Sequence, residues 1–226
     1  MKISKVGRGK LSLAIPVSRL PKFTWRDWPS ILKAFEAAPA LEMRQAWLKR
    51  VALNFRPGKV RLGWQRNSLF ILAQLSDEDI FSNATKNNQN LWTYGDVFEI
   101  FLRDPSRPPY HELHIAPNDR WMHMRIPSTV FFKNGGFDCD LLKIAPRRFD
   151  FCLRVNQRTN RWEICARIPS SLVYEASTTL KGKSWMASFS RYDYSKNRKT
   201  PVRSSTSPHS LRSFHRQEEW SHLLFV

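Results

Sequence analysis

The chain has 226 residues, a formal net charge of +18 and an aromatic content of 13%, with 9 Trp and 15 Phe. This length can bury a full core in one large domain, and the aromatic content is typical of a β-rich globular protein and excludes a disordered one. Cys139, Cys152 and Cys165 form no CxxC motif, which favours buried thiols over a disulfide framework or a zinc site.

No apolar run approaches the length of a membrane span, so we expect no membrane-spanning segment. The N-terminus has basic residues, but the apolar stretch from Leu11 to Val17 is short, contains Pro16 and lacks a clear cleavage site. We therefore predict no secretory signal and favour a cytoplasmic location over export.

The first 54 residues predict a partly helical extension. Leu11–Val17 alternates apolar and polar residues and predicts a first strand. Ser30–Arg50 has rough helical spacing, and Pro39 is expected to divide it into two helices. We expect residues 1–54 to pack on a main domain formed by residues 55–226.

After Pro57-Gly58 the pattern changes to short strands separated by turn signals such as Asn134-Gly135-Gly136 and Asn156–Asn160. Regular short strands of this kind predict an antiparallel β-sandwich or barrel. Residues 195–213, rich in Ser, Arg and Lys, predict a long loop. The predicted strands are Lys59–Trp64, Ser68–Leu75, Asp96–Leu102, Tyr110–Ala116, Trp121–Ile126, Phe149–Asn156, Trp162–Ile168, Ser184–Tyr192 and His222–Val226.

The strand Asp96–Leu102 carries two acids, Asp96 and Glu99, and follows Trp92 by four residues. A carboxylate without a partner is costly to bury, so two of them in one strand call for an explanation. An acid that accepts hydrogen bonds beside a ring that stacks is a combination that binds sugars. The structural alternatives are that Asp96 caps a turn and that Glu99 pairs with an arginine.

A two-residue turn at Asn118-Asp119 would place His114 opposite His123 and Glu112 opposite Arg125. Two facing histidines could chelate a transition metal, although a polar cross-strand pair is the commoner arrangement. His111 and His114 would lie on opposite faces of their strand. In this register the core side carries Leu113, Ile115, Met122, Met124 and Ile126. The outer face then presents Glu112, His114, Trp121, His123 and Arg125.

Several motifs, taken in order, resemble the family-nine carbohydrate-binding modules over roughly residues 55–226. The resemblance implies an antiparallel β-sandwich of the jelly-roll kind, related to the DOMON-like sandwiches. The motifs are Ser68–Asp77, Trp92 with Asp96–Phe101, Tyr110–His114 with Pro117-Asn118, Trp162–Ile164 with Ile168-Pro169, Trp185–Asp193 and Phe214–Trp220.

This resemblance implies a non-catalytic, lectin-like module that binds chain-end sugars, often with structural calcium. Trp92, or alternatively Tyr94, would stack on the sugar ring, and Glu99, with Asp96 as a further acid, would accept hydrogen bonds from its hydroxyl groups. The family's second tryptophan, which completes an aromatic sandwich, is missing near Ser204–His209, where only His209 or Phe214 could substitute. Trp220 is expected to fill an apolar position that closes the fold. We expect a monomer.

Two other function classes compete with sugar binding. A glycosidase needs two carboxylates at a set separation, which Glu99 could form with Glu112 or Asp96. A polyanion or nucleic-acid binder would rest on the charge, which is +12 over residues 1–66, −3 over residues 67–146 and +9 over residues 147–226. The bases are scattered, and the densest cluster is Lys196–Lys199. We therefore expect a solvated cationic surface and no specific nucleic-acid partner.

Overall fold

Strands with alternating apolar residues build two facing sheets in the computed structural model, which describes residues 14–128 and 138–226. The strands are β1 Ala14–Val17, β2 Ala40–Glu42, β3 Gly58–Gln65, β4 Ser68–Ser76, β5 Val97–Arg103, β6 Tyr110–Ile115, β7 Trp121–Ile126, β8 Asp150–Asn156, β9 Arg161–Pro169, β10 Ser184–Asp193, β11 Val202–Ser205 and β12 Ser221–Phe225. The α-helices are α1 Trp28–Ala34 and α2 Ser170–Tyr174, and 3₁₀ turns cover Leu91–Thr93, Cys139–Leu142 and Gln217–Glu219.

The first sheet has the strand order β1-β12-β10-β5-β6-β7, with β11 also paired to β10. The second sheet has the order β2-β3-β4-β9-β8. Neighbouring strands run antiparallel, apart from the parallel pair β1 and β12. The predicted fold class, an antiparallel β-sandwich with a short helical N-terminal segment, is confirmed. The domain boundary at residue 54 stays a prediction. Strands β1 and β2, which precede residue 54, belong to different sheets of the sandwich.

The core lies between the two sheets and follows from the period-two alternation of their strands. Phe98, Ile100 and Leu102 of β5 point inward and meet Ile71 and Ala73 of β4 in one buried cluster. Burying each large apolar side chain stabilises the fold by about 1.5–3 kcal/mol relative to leaving it in water. Alternate residues of β5 consequently face away from this core.

Helix α1 covers the outer face of the second sheet. Its N-cap residue Asp27 accepts a hydrogen bond from the backbone N–H of Ser30 at 3.0 Å, which satisfies one of the free donors of the first turn. Ile31 lies buried in a cluster with Phe70 and Leu72 of β4. The apolar side of the predicted first helix therefore packs on the sandwich.

The second helix predicted after Pro39 is wrong. This segment instead contains β2, which pairs with the edge of β3. Met43 and Gln45 are buried whereas Glu42 and Arg44 are exposed, which is the alternation of an extended chain. Pairing with the open edge of β3 satisfies the backbone, so tertiary contacts override the weak helical spacing.

All nine strands predicted after residue 55 are present, with ends shifted by at most one residue. The predicted loop over residues 195–213 contains a strand that the sequence did not indicate, β11, which pairs with the end of β10. Of the predicted first strand, residues 14–17 form β1, and residues 11–13 lie outside the described range, as does the predicted turn at Asn134-Gly135-Gly136.

The predicted register of the β6–β7 hairpin is wrong by one residue. His114 pairs with Met122, and His123 pairs with Leu113. Asp119 has a left-handed backbone with φ of 65°, and the loop is closed by a hydrogen bond between Ala116 and Arg120, so it is one residue longer than predicted. A shift of one residue turns every side chain of β7 to the opposite face.

This register separates the five polar residues that were predicted to share the outer face. Glu112 and His114 lie on the outer face of the first sheet, while Trp121, His123 and Arg125 lie on the opposite face, that of Leu113. His111 and His114 face opposite sides, as predicted. Met122, Met124 and Ile126 belong to the outer face and not, as predicted, to the core between the sheets.

The three cysteines are free thiols, with Cys165 buried and Cys139 and Cys152 partly exposed. Cys152 of β8 lies directly opposite Cys165 of β9. Among the described residues, no helix is both long and apolar enough to cross a membrane.

The register creates a histidine pair, because His111 Nδ1 lies 3.1 Å from His123 Nε2 inside the protein. Burial, together with the neighbouring His123 charge, lowers the pKa of His111 to about 3. Burial and the charge of Arg148 lower the pKa of His123 to about 4. Both rings are therefore neutral in the folded protein near pH 6.

We predict that His123→Gln changes how stability depends on pH. The unfolded chain binds a proton at His123 near pH 6.5, but the folded chain does so only near pH 4. This residue thus makes stability fall as pH falls through that window, by about 1.4 kcal/mol per pH unit. Urea unfolding at several pH values should show that the variant loses this dependence. Parallel curves for variant and wild type would show that His123 is not held neutral.

Candidate functional site

A pocket of about 270 Å³ opens on the outer face of the first sheet. Its floor contains Glu99 of β5 and Glu112 of β6, and Trp92 forms part of its wall. Glu99 points into the pocket because β5 alternates, so that its neighbours Phe98 and Ile100 enter the core. The predicted pairing of a tryptophan with the glutamate of the following strand therefore lies at one concave site.

The position of Trp92 is set by the turn before β5. Leu91 is fully buried and anchors the short 3₁₀ turn, while the ring of Trp92 remains partly exposed. The hydroxyl of Tyr194 donates a hydrogen bond to the Trp92 carbonyl oxygen at 2.5 Å. Gly95 has φ of 138°, and a Cβ there would lie 2.5 Å from the Phe81 carbonyl oxygen, so only glycine fits this turn.

Asp96 lies outside the pocket and anchors the same turn. Its carboxylate accepts hydrogen bonds from the backbone N–H groups of Phe81 and Tyr194, each at 2.8 Å. The side chain is fully buried. Burial, and then the charge of Asp77, raises the pKa of Asp96 to about 8. These contacts match the structural alternative considered for Asp96, in which its side chain caps a turn.

A histidine connects the two acids of the floor. His114 Nε2 lies 2.7 Å from Glu112 Oε1 and 3.3 Å from Glu99 Oε1. The ring of Trp92 packs edge-on against the His114 ring, with centroids 5.5 Å apart. All three members of the Glu99–His114–Glu112 triad are buried, so solvent screens their interactions only weakly.

The protonation of the triad follows from burial and mutual charge. Burial raises the pKa of Glu99 to about 8, although the His114 charge opposes the shift. Burial also disfavours the charged form of Glu112, but the charges of His215 and His114 outweigh it and lower its pKa. For His114, burial favours the neutral ring, yet the carboxylates of Glu99 and Glu112 raise its pKa. These directions favour a charged pair of Glu112 and His114, and they make Glu99 the acid of the triad that keeps its proton to the higher pH.

The wall opposite Trp92 combines β10, β11 and the loop before β12. Tyr192 packs edge-on against Phe214, with ring centroids 5.7 Å apart. The guanidinium carbon of Arg203 lies 4.8 Å from the centre of the Tyr192 ring. The indole N–H of Trp220 donates to the Phe214 carbonyl oxygen at 2.8 Å, which fixes Phe214 in place. Trp220 is itself fully buried and, as expected, fills an apolar position.

The other residues predicted for the site lie elsewhere. Tyr94 packs at the edge of the outer apolar cluster and does not line the pocket. His209 is fully buried behind Phe214, where its Nε2 lies 3.3 Å from the Ser188 hydroxyl. Trp121, His123 and Arg125 face away from the pocket because of the hairpin register. Trp92, Glu99, Glu112 and Phe214 are therefore the predicted residues that line the pocket.

Sequence reasoning missed several residues of the pocket. Arg203 comes from the unpredicted strand β11, and Arg212 and His215 come from the loop that follows it. No local pattern marked the two arginines, because residues 195–213 were predicted to form a long loop. His215 lies in the motif Phe214–Trp220, but no role was assigned to it. Tyr192 carried a usable signal, since it belongs to the motif Trp185–Asp193 and lies on the same face of β10 as Ser190, the partner of Glu99.

Two clusters of buried acids lie among the described residues, and neither fits a structural calcium ion. Ca²⁺ takes six to eight oxygen ligands, and the best-placed acids are the buried Asp77, Asp96 and Asp193. The guanidinium of Arg191 already supplies the positive charge there, 2.6 Å from Asp77 and 3.4 Å from Asp193. Backbone N–H groups occupy both oxygens of Asp96. The triad, in turn, has the His114 imidazole at its centre, and Ca²⁺ prefers oxygen.

No protein-family profile matches the sequence, and no curated protein is significantly similar to it. Solved structures do match its fold. A candidate carbohydrate-binding protein from Bacteroides uniformis aligns with a TM-score of 0.73 at 15% identity, over 95% of this chain and 100% of that one.

Two structures of a carbohydrate-binding module of family 9 from Caldicellulosiruptor kristjanssonii also match. The complex with cellotriose has a TM-score of 0.62 at 15% identity, over 94% of this chain and 93% of that one. The complex with glucose has a TM-score of 0.60 at 14% identity, over 94% and 95% of the two chains. The chain therefore has the fold of the family-nine carbohydrate-binding modules.

Proposed function

We propose that this protein is a non-catalytic carbohydrate-binding domain whose ligand occupies the pocket beside Trp92. The observation that carries the proposal is the placement of a partly exposed indole next to two acids in one concave site. The Caldicellulosiruptor modules of the same fold are in complex with cellotriose and with glucose, which supports a sugar as the class of ligand.

The chemistry of the pocket suits a sugar. One face of a pyranose ring is apolar and packs on an aromatic ring, while its hydroxyl groups need hydrogen-bond partners. Trp92 offers the ring, and Glu99 and Glu112 offer oxygens. The volume of about 270 Å³ is near the lower limit of small-molecule pockets. It therefore suits a monosaccharide or a chain end better than the middle of a long chain.

Glycoside hydrolysis is a second candidate because Glu99 and Glu112 have pKa values shifted in opposite directions, as paired catalytic acids do. However, His114 Nε2 contacts both carboxylates. The space between the acids is thus filled by a side chain, whereas a glycosidase places the scissile bond there. We therefore favour binding, and an assay for new reducing ends on any bound glycan should detect none.

We predict that Trp92→Ala lowers sugar affinity by at least about tenfold, since a good aromatic contact contributes on the order of 1 kcal/mol beyond area burial. Affinity is measured by calorimetry, in EDTA, for the tightest ligand of a panel of neutral and acidic sugars. The melting temperature should change little, because the ring is partly exposed.

The matched control is Trp25→Ala, which removes a partly exposed indole that packs near Phe70 on the other sheet. It should leave sugar affinity unchanged. Equal losses in both variants, or unfolding of Trp92→Ala, would refute the assignment of Trp92 to the site.

We predict that Glu99→Gln removes a pH dependence of binding. Below pH 8 the wild-type carboxyl is mostly protonated and, like an amide, both donates and accepts a hydrogen bond. Above pH 8 it becomes a carboxylate, which accepts hydrogen bonds more strongly. Affinity for a neutral sugar should therefore rise several-fold from pH 7 to pH 9 in the wild type and stay flat in the variant.

At pH 6.5 the Glu99→Gln and wild-type affinities should agree within about twofold, since both side chains are then neutral. Matching pH curves for the two proteins would show that Glu99 does not contact the ligand. A large loss of stability in the variant would instead assign Glu99 to the structural core.

A further inference from the structure

Two arginines line the pocket without a carboxylate partner. Among the described residues, neither Arg203 nor Arg212 forms a salt bridge with an acid, although Arg203 lies near enough to Glu99 for its charge to oppose the rise in the pKa of that acid. The Arg203 NH1 group donates only to the Arg212 carbonyl oxygen at 3.5 Å, and its Nε has no acceptor in the described part of the chain. Arg212 donates to the Pro201 carbonyl oxygen at 3.0 Å. Both guanidinium groups thus keep their positive charge, and donors remain free for a ligand.

The acids on the floor do not cancel this charge. Glu112 is paired with His114 at 2.7 Å, so these two groups neutralise each other. Glu99 is buried against the same histidine, and burial raises its pKa to about 8. Near neutral pH the pocket therefore carries two positive charges from Arg203 and Arg212 and little opposing charge.

A guanidinium group is suited to recognising a carboxylate or a sulfate. Its planar fork donates two parallel hydrogen bonds to such a group, and these bonds are about twice as strong as neutral ones. A neutral sugar would leave both forks facing water. Stacking of Arg203 on Tyr192 orients the fork in advance, which lowers the entropy lost on binding.

We propose that the pocket is selective for an acidic sugar, a monosaccharide or chain end bearing a carboxylate or sulfate that Arg203 and Arg212 contact while Trp92 packs on the ring. This inference rests on the proposed carbohydrate-binding function and names the class of sugar.

The experiment is calorimetry on the full chain at about 0.15 M salt, where weak surface attraction is screened. The ligands are glucose, glucuronate, galacturonate and glucose 6-sulfate. Glucuronate or the sulfate should bind at least about tenfold more tightly than glucose, as expected for a charge-assisted hydrogen bond. The carboxylate and sulfate arms identify which acid is preferred.

Arg203→Gln and Arg212→Gln should each weaken acidic-sugar binding by about tenfold more than they weaken glucose binding. Arg212 is exposed, so its replacement does not threaten the fold. The matched control is Arg158→Gln, which removes the same charge from the exposed turn between β8 and β9 and should have no effect.

The outcomes separate the two levels of the proposal. Glucose binding that depends on Trp92 and is as tight as glucuronate binding would overturn acid selectivity and leave carbohydrate binding intact. Acidic-sugar binding that is insensitive to Trp92→Ala, or equally weakened by Arg158→Gln, would be attraction to the basic surface and would overturn both. No binding by any ligand of the panel would also overturn both.

Discussion

The geometry of the pocket depends on the buried carboxyl group of Asp96. Its two oxygens hold the backbone of two segments that are distant in sequence, at Phe81 and at Tyr194. A carboxylate buried without donors would be costly, so this junction is satisfied in few arrangements. The junction fixes where β5 begins, and it thereby places Trp92 at the rim and Glu99 on the floor.

Two buried groups of acids are each balanced by a cation of the chain itself. Arg191 lies among Asp77, Asp96 and Asp193, and His114 lies between the two glutamates of the floor. Buried charges persist only when they are paired. Because side chains supply the positive charge, these two groups of acids need no metal ion.

The strands were predictable because their residues alternate, and alternation is a local property. The turn signals at Asn156–Asn160 and Pro57-Gly58 set their limits well. The helix predicted after Pro39 was wrong because its helical spacing was weak and the edge of β3 offered backbone partners from elsewhere in the chain. Strand β11 was not predicted for a similar reason, since only its pairing with β10 makes it a strand.

The sequence by itself determined the sandwich fold, since the alternation of apolar residues along each strand is a local property. The tertiary structure decided which side chains meet. The left-handed backbone at Asp119 set the hairpin register and took His123 away from His114. The pairing of β11 with β10 brought Arg203 to the pocket. Local periodicity sets the face of a side chain, but contacts between distant strands set its neighbours.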